Sequence, residues 1–340
     1  MNDKKLKDFG EKRLLAEIIL PMVNPGRDNM LAGDDCAIIP ITKNRWVSIS
    51  TDRVPSDLIS FKLGILDYFG LGYYLAVLNI SDICASGARP VGLLLNLAFP
   101  GDFFVEDLQT LYKGIIAACD EYDCKILGGD FSDSAEMNLT ATSVGIGEDG
   151  RPLYRNTIGN GDVIYCSDYV GLTPTAFLYF LTAKPQGILL SAKEEEILKD
   201  QFRKVKARKN LSELLAAANK DHTVSCMDNT DGVFQSFNEM SAQSGVGIEL
   251  DAAKLPIHEL SHKLAGLMGK DVYELVLGAG ADFQLLGAID KNIPQDILDE
   301  LRNAGLYEIG IATNTESGVY LNKSGQLSRL DIPGWNYYTG

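Results

Sequence analysis

Long hydrophobic runs are missing from this 340-residue chain. Its longest strongly apolar stretches, Val91 to Pro100 and Tyr73 to Ile80, fall far short of the roughly 20 residues that a membrane-spanning helix needs. Positive charge is also scarce: 31 Lys and Arg face 46 Asp and Glu, a net charge of -15. Such a field repels phosphate backbones and anionic lipid, which argues against a general nucleic-acid or membrane-surface binder. A phosphate ligand here needs cations to mediate. No CxxC pair occurs among the cysteines at 36, 84, 119, 124, 166 and 226. A chain of this size needs no disulfide framework, so they read as buried thiols. The GxxxxGK[ST] loop and the protein-kinase HRD and DFG signatures are absent, which excludes P-loop and protein-kinase mechanisms. There is no fixed-period repeat.

What is present is ordinary globular usage, 46% hydrophobic and 23% charged, enough for two cores. The length predicts two domains, and the alternation of apolar strands with helical spacing places them at 1–148 and 149–340. The first holds an amphipathic helix with Leu14, Leu15, Ile18 and Ile19 on its apolar side, too interrupted by charge for a secretion signal. The expected compartment is the cytosol. Strands follow at GDDCAII and RWVSISTD, then a helix from about Asp67 to Ser86, a strand at VGLLLNLAFP, a helix from Val105 to Tyr122, and strands at CKILGGD and MNLTATSVGIGEDG. The second half predicts a strand in RNTIGNGDVIYCSD and a Lys- and Glu-rich helical region from Pro174 to Lys220. Strand, acidic turn and a helix near Thr230 follow in SCMDNTDGVFQSFNEM, and then further strands with a helix from Gln295 to Ala304.

The acids are unevenly placed. Asp34, Asp35, Asp52, Asp82, Asp130, Asp228 and Asp231 each stand in or beside a Gly, Ser or Thr turn at the end of an apolar segment. Any single one is accounted for as a turn or N-cap residue. As a set, converging without Lys or Arg beside them, they would repel one another, and hard divalent cations with oxygen ligands are the usual compensation. Magnesium with a nucleotide is the natural ligand of such a set.

Two motifs compete. His258 and His262 in HELSH match the HExxH pattern of zinc proteases, with Glu259 as the base. The only other histidine, His222, lies upstream, and Ala265 stands where the extended motif has Gly, so a solvent-facing helix start accounts for it better. One GxGxxG occurs at Gly145, Gly147 and Gly150, but Arg151-Pro152 follows it and not a helix, so it reads as a hairpin turn.

Taken in order, GDDCAII, ISTD, LAVLNISDICASGARPVGLLLNLAFP, ILGGD, MDNTDG, GADFQLL and LDIPGWNYY closely resemble the motif series of thiamine-monophosphate kinases, nearly end to end. That family sits in a wider group with aminoimidazole-ribonucleotide synthetase, selenophosphate synthetase and a hydrogenase-maturation protein, all ATP users without a Walker loop. The resemblance implies an α/β (α+β), two-domain aminoimidazole-ribonucleotide-synthetase-like fold. It also implies a homodimer whose N-terminal mixed sheets join into a barrel, with the nucleotide near that interface. It implies ATP and Mg²⁺ as cofactors, with Asp35, Ser50, Thr51, Asp52, Asp82, Asp130, Asp228 and Asp231 around several metal ions, and Asp34 as a secondary candidate. Asp35, Asp82, Asp130 and Asp228 are the residues it makes catalytic. Gly128, Gly129, Tyr112, Arg155 and Thr230 become nucleotide contacts, and Asp282 and Trp335 fall on the acceptor side.

The departures from the family also concern the acceptor. TDRVPSDLISF lacks the family's His, GAGADFQL puts Ala281 where GGEDYEL has Glu, Tyr74 replaces a Lys, and FRKVKARKN replaces HxxPxPR. A pocket that loses a His and a Glu should reject a cationic heterocycle, because specificity resides in a few placed polar groups. The resemblance therefore implies a phosphotransferase whose small-molecule acceptor need not be thiamine monophosphate. The alternatives are a true thiamine-monophosphate kinase, an ATP-dependent synthetase activating an amide or carboxylate, and a nucleotide-binding protein without transfer activity.

Overall fold

In the computed structural model, residues 5–8, 10–23 and 33–333 are described. Two sheets organise them. The first comprises β1 (Ala37–Thr42), β2 (Arg45–Arg53), β3 (Arg89–Phe99), β4 (Lys125–Asp133) and β5 (Asn138–Glu148), in the order β1-β2-β5-β3-β4. Only β3 and β4 run parallel, so a crossover must join them, and the helix Val105–Glu121 makes it. Inward positions of β3 and β5, among them Leu93, Leu95, Leu97, Leu139 and Ala141, pack under that helix and under the helix Tyr68–Ala85. The opposite face has no such cover: Ile39 on β1 and Leu94 on β3 are each 42% exposed, and every residue of the edge strand β4 is exposed.

The second sheet has the order β12-β11-β8-β10-β6-β9-β7. Its strands are β6 (Val163–Ser167), β7 (Val224–Asp228), β8 (Gly247–Asp251), β9 (Leu285–Ile289), β10 (Leu306–Thr313), β11 (Gly318–Lys323) and β12 (Gln326–Arg329). The Lys- and Glu-rich region resolves into the helices Leu172–Leu178, Ala192–Arg203 and Lys209–Ala218. The helix expected near Thr230 begins at Val233, because the Asn229 side chain accepts the Gly232 N–H and holds the preceding residues in a turn.

The helix Tyr68–Ala85 lies between the two halves. It is apolar on nearly every side, as a helix covered on all faces must be. Its last turns carry the NISD segment to the end of β7. The N-terminal helical stretch differs from expectation: Leu14 is buried, but Leu15, Ile18 and Ile19 remain exposed. Of the glycine motif read as a hairpin turn, only Gly150 lies in the bend, which follows β5; the other two glycines are strand. Gly145 and Gly147 sit inside β5, and a Cβ at Gly147 would lie 1.8 Å from Cε2 of the buried Trp46. These glycines make room for core side chains under the sheet. His258 caps the helix Glu259–Met268, its Nδ1 accepting the Leu260 N–H at 3.1 Å, and His262 is exposed. HELSH is a helix start. All six cysteines are free and buried.

Candidate functional site

The site is assembled where three chain segments meet. Asp228 ends β7, Asp82 stands in the last turn of the central helix, and Asp35 lies in the bend that leads into β1. One carboxylate oxygen from each lies within 4.8 Å of the other two. Short hydroxyl donors set their orientation: Ser81 Oγ donates to Asp228 Oδ2 at 2.5 Å, and Ser50 Oγ donates to Asp82 Oδ2 at 2.6 Å. Asn79, fully buried, accepts the Asp52 N–H through its side-chain oxygen at 3.0 Å, which ties β2 to the same helix. The spacing Asn79, Ser81, Asp82 therefore has three separate jobs: fixing a strand, fixing one acid and supplying another.

The expectation of acids without a cation beside them is corrected here. Arg155, 7% exposed, lies against this floor. Its Nε donates to Asp34 Oδ1 at 3.2 Å, its Nη2 to Asp35 and its Nη1 to Glu239 on the helix Val233–Ser244. Asp34 is consumed by this role, since its Oδ1 also accepts the Asp35 N–H and its Oδ2 the Arg155 N–H. Asp35 is not consumed: its Oδ2 is buried and has no partner.

One arginine does not balance the set. Burial, the leading cause, pushes Asp35 and Asp82 well above the usual carboxylate range, with neighbouring carboxylates adding to it. Asp228 is raised to about 7, again chiefly by burial. Asp52 is raised by burial, with Asp231 adding repulsion. A hard divalent cation fits this arrangement on two counts, an all-oxygen donor set and an orphaned buried carboxylate oxygen.

The remaining expected residues fall elsewhere. Thr230 and Asp231 occupy the turn after β7, partly buried. Thr51 donates to the Ala141 carbonyl and points to the open face of the first sheet, opposite Ser50 and Asp52. Asp130 shares a lateral row with Asn96, Thr140 and Arg53, three strands from β2, which is about 14 Å at the usual strand spacing. Within one chain Asp130 is therefore separate from the carboxylate cluster. Gly128 and Gly129 lie beside it on β4. Gly129, at φ 148°, has no room for a side chain, because a Cβ would come 1.8 Å from the Leu95 carbonyl oxygen. Tyr112 is half-buried on the crossover helix. Asp282 is engaged in structure, accepting the N–H groups of Gly171 at 3.0 Å and Thr173 at 2.9 Å. Trp335 lies outside the described residues. Beside Asp282, Phe283 is held at φ 51°, unusual for a bulky residue, with its ring edge-on to Tyr74.

Glu239 and Ser81 are the residues that sequence reasoning missed. Ser81 was visible inside NISD. Glu239 had no signal beyond standing a few residues into the helix that follows MDNTDG.

Comparison with known proteins supports the two-domain fold. The model of the AIR synthase related protein N-terminal domain matches residues 33–148, and that of the C-terminal domain matches 179–322. The chain is similar to a thiamine-monophosphate kinase of Synechococcus elongatus, 30% identical over 294 residues, covering 83% of this chain and 86% of the relative. It is also similar to one from Pyrococcus abyssi, 26% identical over 311 residues and 91% of each chain. Among solved structures, AaThiL complexed with AMPPCP and TMP superposes with a TM-score of 0.80 at 24% identity, over 99% of this chain and 100% of that one.

Proposed function

The chain belongs to the thiamine-monophosphate kinase family, within the AIR synthase related proteins, and from that premise we propose that it transfers the γ-phosphoryl group of ATP to a small acceptor. The observation that carries this reading is the buried, under-neutralised cluster of Asp35, Asp82 and Asp228. A bare triphosphate would be repelled by it, whereas a magnesium triphosphate complements it.

Asp35, Asp82 and Asp228 would hold magnesium, with Ser50, Asp52 and Asp231 beside them; Thr51, on the opposite face of the sheet, falls outside this set, and Asp130 can join it only from a second copy. When bound, the metal neutralises charge spreading over the transferred phosphoryl oxygens. The protein's own contribution is positioning. Ser81 and Ser50 lock two of the acids, Asn79 fixes β2, and Asp34 with Glu239 holds Arg155 as a fixed cation beside the nucleotide site. An acceptor oxygen attacks the γ-phosphorus as the bond to the β–γ bridging oxygen breaks and ADP leaves, with no covalent enzyme intermediate. Gly128, Gly129, Tyr112 and Thr230 are the further nucleotide contacts in this reading, and Trp335 borders the acceptor.

The active form in this reading is a homodimer. The uncovered face of the first sheet and its fully exposed edge β4 support it, since a flat apolar sheet face and an open edge both invite a second copy. Asp130 would then reach the cluster of the partner copy. The domain division at 148/149 and a cytoplasmic location belong to the same reading.

Thiamine monophosphate is the first acceptor to test. A second reading, a different small acceptor, is favoured by Ala281 at the expected Glu position and by the absence of His from residues 53–61. ADP release from MgATP with and without thiamine monophosphate, with the product weighed by mass spectrometry, separates them. Thiamine diphosphate supports the first. ADP release only with another acceptor supports the second, and no transfer to any acceptor overturns both.

A further inference from the structure

Two of the six cysteines share one turn. Cys119 stands in the last turns of the crossover helix Val105–Glu121, and Cys124 is the residue before β4. The chain between them folds back on itself: the Cys124 N–H donates to the Cys119 carbonyl at 2.9 Å and the Asp123 N–H to the Asp120 carbonyl at 3.4 Å, with Asp123 in the left-handed region at φ 52°. These two bonds make the Schellman ending of a helix, in which the residue three before the cap meets the second residue after it, side chain to side chain. An apolar contact ordinarily fills that position. Here two thiols fill it, hydrogen-bonded to one another.

A backbone bond this short keeps the two Cα atoms within the reach of a disulfide, roughly 4.4–6.8 Å, so joining the sulfurs asks for side-chain rotation and no movement of the chain. Tyr122 anchors the turn to the second half of the molecule: its hydroxyl accepts the Ala207 N–H at 2.9 Å and its carbonyl the Lys209 ammonium at 3.2 Å. The two thiols are not equivalent. The Cys124 thiol donates to Cys119, which holds Cys119 below the ordinary thiol value although burial opposes it; the same bond, and then burial, push Cys124 up. Cys36, Cys84, Cys166 and Cys226 are all pushed up, chiefly by burial. One sulfur of the six is therefore prone to ionise, and a second thiol stands against it. Cys119 is 3% and Cys124 7% exposed, yet Asp120, Glu121 and Asp123 around them face solvent. The pair lies one side chain beneath the surface of a helix end, where a small oxidant reaches and a bulky one does not.

We propose that Cys119 and Cys124 are a peroxide-sensitive pair that closes reversibly into a disulfide. The Cys119 thiolate attacks one oxygen of hydrogen peroxide; the S–O bond forms as the O–O bond breaks, and the departing hydroxide takes the proton that Cys119 released and becomes water. Cys119 is then a sulfenic acid. The Cys124 sulfur attacks the Cys119 sulfur, the S–S bond forms as the S–O bond breaks, and the Cys124 proton leaves with the hydroxyl group as a second water. The two thiols are oxidised by two electrons in all, and one peroxide is reduced to two waters. A small dithiol restores both thiols by exchange. The bond clamps the end of the crossover helix to the root of β4, the strand that carries Gly128, Gly129 and Asp130. It lies apart from the carboxylate cluster and does not rest on phosphoryl transfer.

Trypsin releases both residues in one peptide, 114–125, which holds no other cysteine. The full chain is reduced, freed of reductant, exposed in its folded state to a small excess of hydrogen peroxide, quenched, unfolded in iodoacetamide and digested for mass spectrometry. Peptide 114–125 should appear unalkylated and two hydrogens lighter than its dithiol form, while Cys36, Cys84, Cys166 and Cys226 are alkylated. Dithiothreitol before the iodoacetamide should return the doubly alkylated peptide. Cys124→Ser should stop the reaction at a Cys119 sulfenic acid that dimedone captures, and Cys119→Ser should slow oxidation of Cys124 about tenfold or more. Circular dichroism checks that both variants are folded. The proposal is overturned if the wild-type peptide stays doubly alkylated under peroxide that oxidises free cysteine. It is equally overturned if Cys119→Ser leaves Cys124 as reactive as before, or if the disulfide forms only in urea. The kinase reading is judged separately, since none of these measurements involves turnover.

Discussion

At the scale of single residues, the chemistry depends on carboxylates held in the wrong place for isolated carboxylates. Asp228 is the clearest case: buried at the end of β7, locked by Ser81 and raised to about 7. Asp228→Asn keeps the shape and the Ser81 contact but removes the charge. Turnover should fall about a hundredfold or more, because several kcal/mol of transition-state charge stabilisation depend on the metal site, while the circular dichroism spectrum stays unchanged. Wild-type ADP release by this variant would refute the assignment. A second expectation concerns pH. Asp35, Asp82 and Asp228 all have folded-state values raised above those of the unfolded chain. The folded protein therefore binds more protons than the unfolded one above about pH 4, and stability falls as pH rises from there through the folded values. In EDTA the melting temperature should drop between pH 5 and pH 8. Adding magnesium should raise it more at pH 8 than at pH 5, where the proton competes. A magnesium increment independent of pH would show that these acids do not hold the ion.

At the scale of elements, two features carry the site. The central helix is buried on almost every side, so its polar residues at 79, 81 and 82 are placed with little freedom; Asn79 and Asp82 find their partners on β2, and Ser81 finds its partner on β7. The strand β4 is the contrary case, an exposed edge whose two glycines have positive φ. Gly129→Ala collides with the Leu95 carbonyl and takes a conformation that L residues rarely adopt. It should destabilise the protein by about 2 kcal/mol or more, read from the midpoint of urea unfolding. A loss below ~0.5 kcal/mol would mean that β3 and β4 relax apart at this point.

At the scale of the whole molecule, the distance between Asp130 and the carboxylate cluster becomes a prediction. If Asp130 serves the partner copy, then Asp130→Asn and Asp228→Asn are each inactive alone but complement each other when mixed. A heterodimer then has one site with both native acids, so random exchange restores about a quarter of the wild-type sites. Activity that stays absent after verified subunit exchange would put both acids in one chain's site.

Much of this was legible beforehand. The alternation of helix and strand, the acids at strand ends and the ordered motifs are local patterns, set by side-chain periodicity and turn chemistry, and they identified the two-domain fold and the cluster of Asp35, Asp82 and Asp228. Periodicity carries no information about which distant segments meet. Asp82 on the central helix stands 47 residues after Asp35 in the bend before β1, and Asp228 at the end of β7 a further 146 on, and only their packing put Arg155 among Asp34, Asp35 and Glu239, consumed Asp34 and Asp282 in hydrogen bonds, and left Asp35 with a free oxygen. The same holds for Gly147, which reads as a turn until Trp46 occupies the space beside it. Residue types determined what chemistry was possible; burial and contact between remote segments decided which acids remain available for it, because desolvation and hydrogen-bond satisfaction exist only in the folded chain.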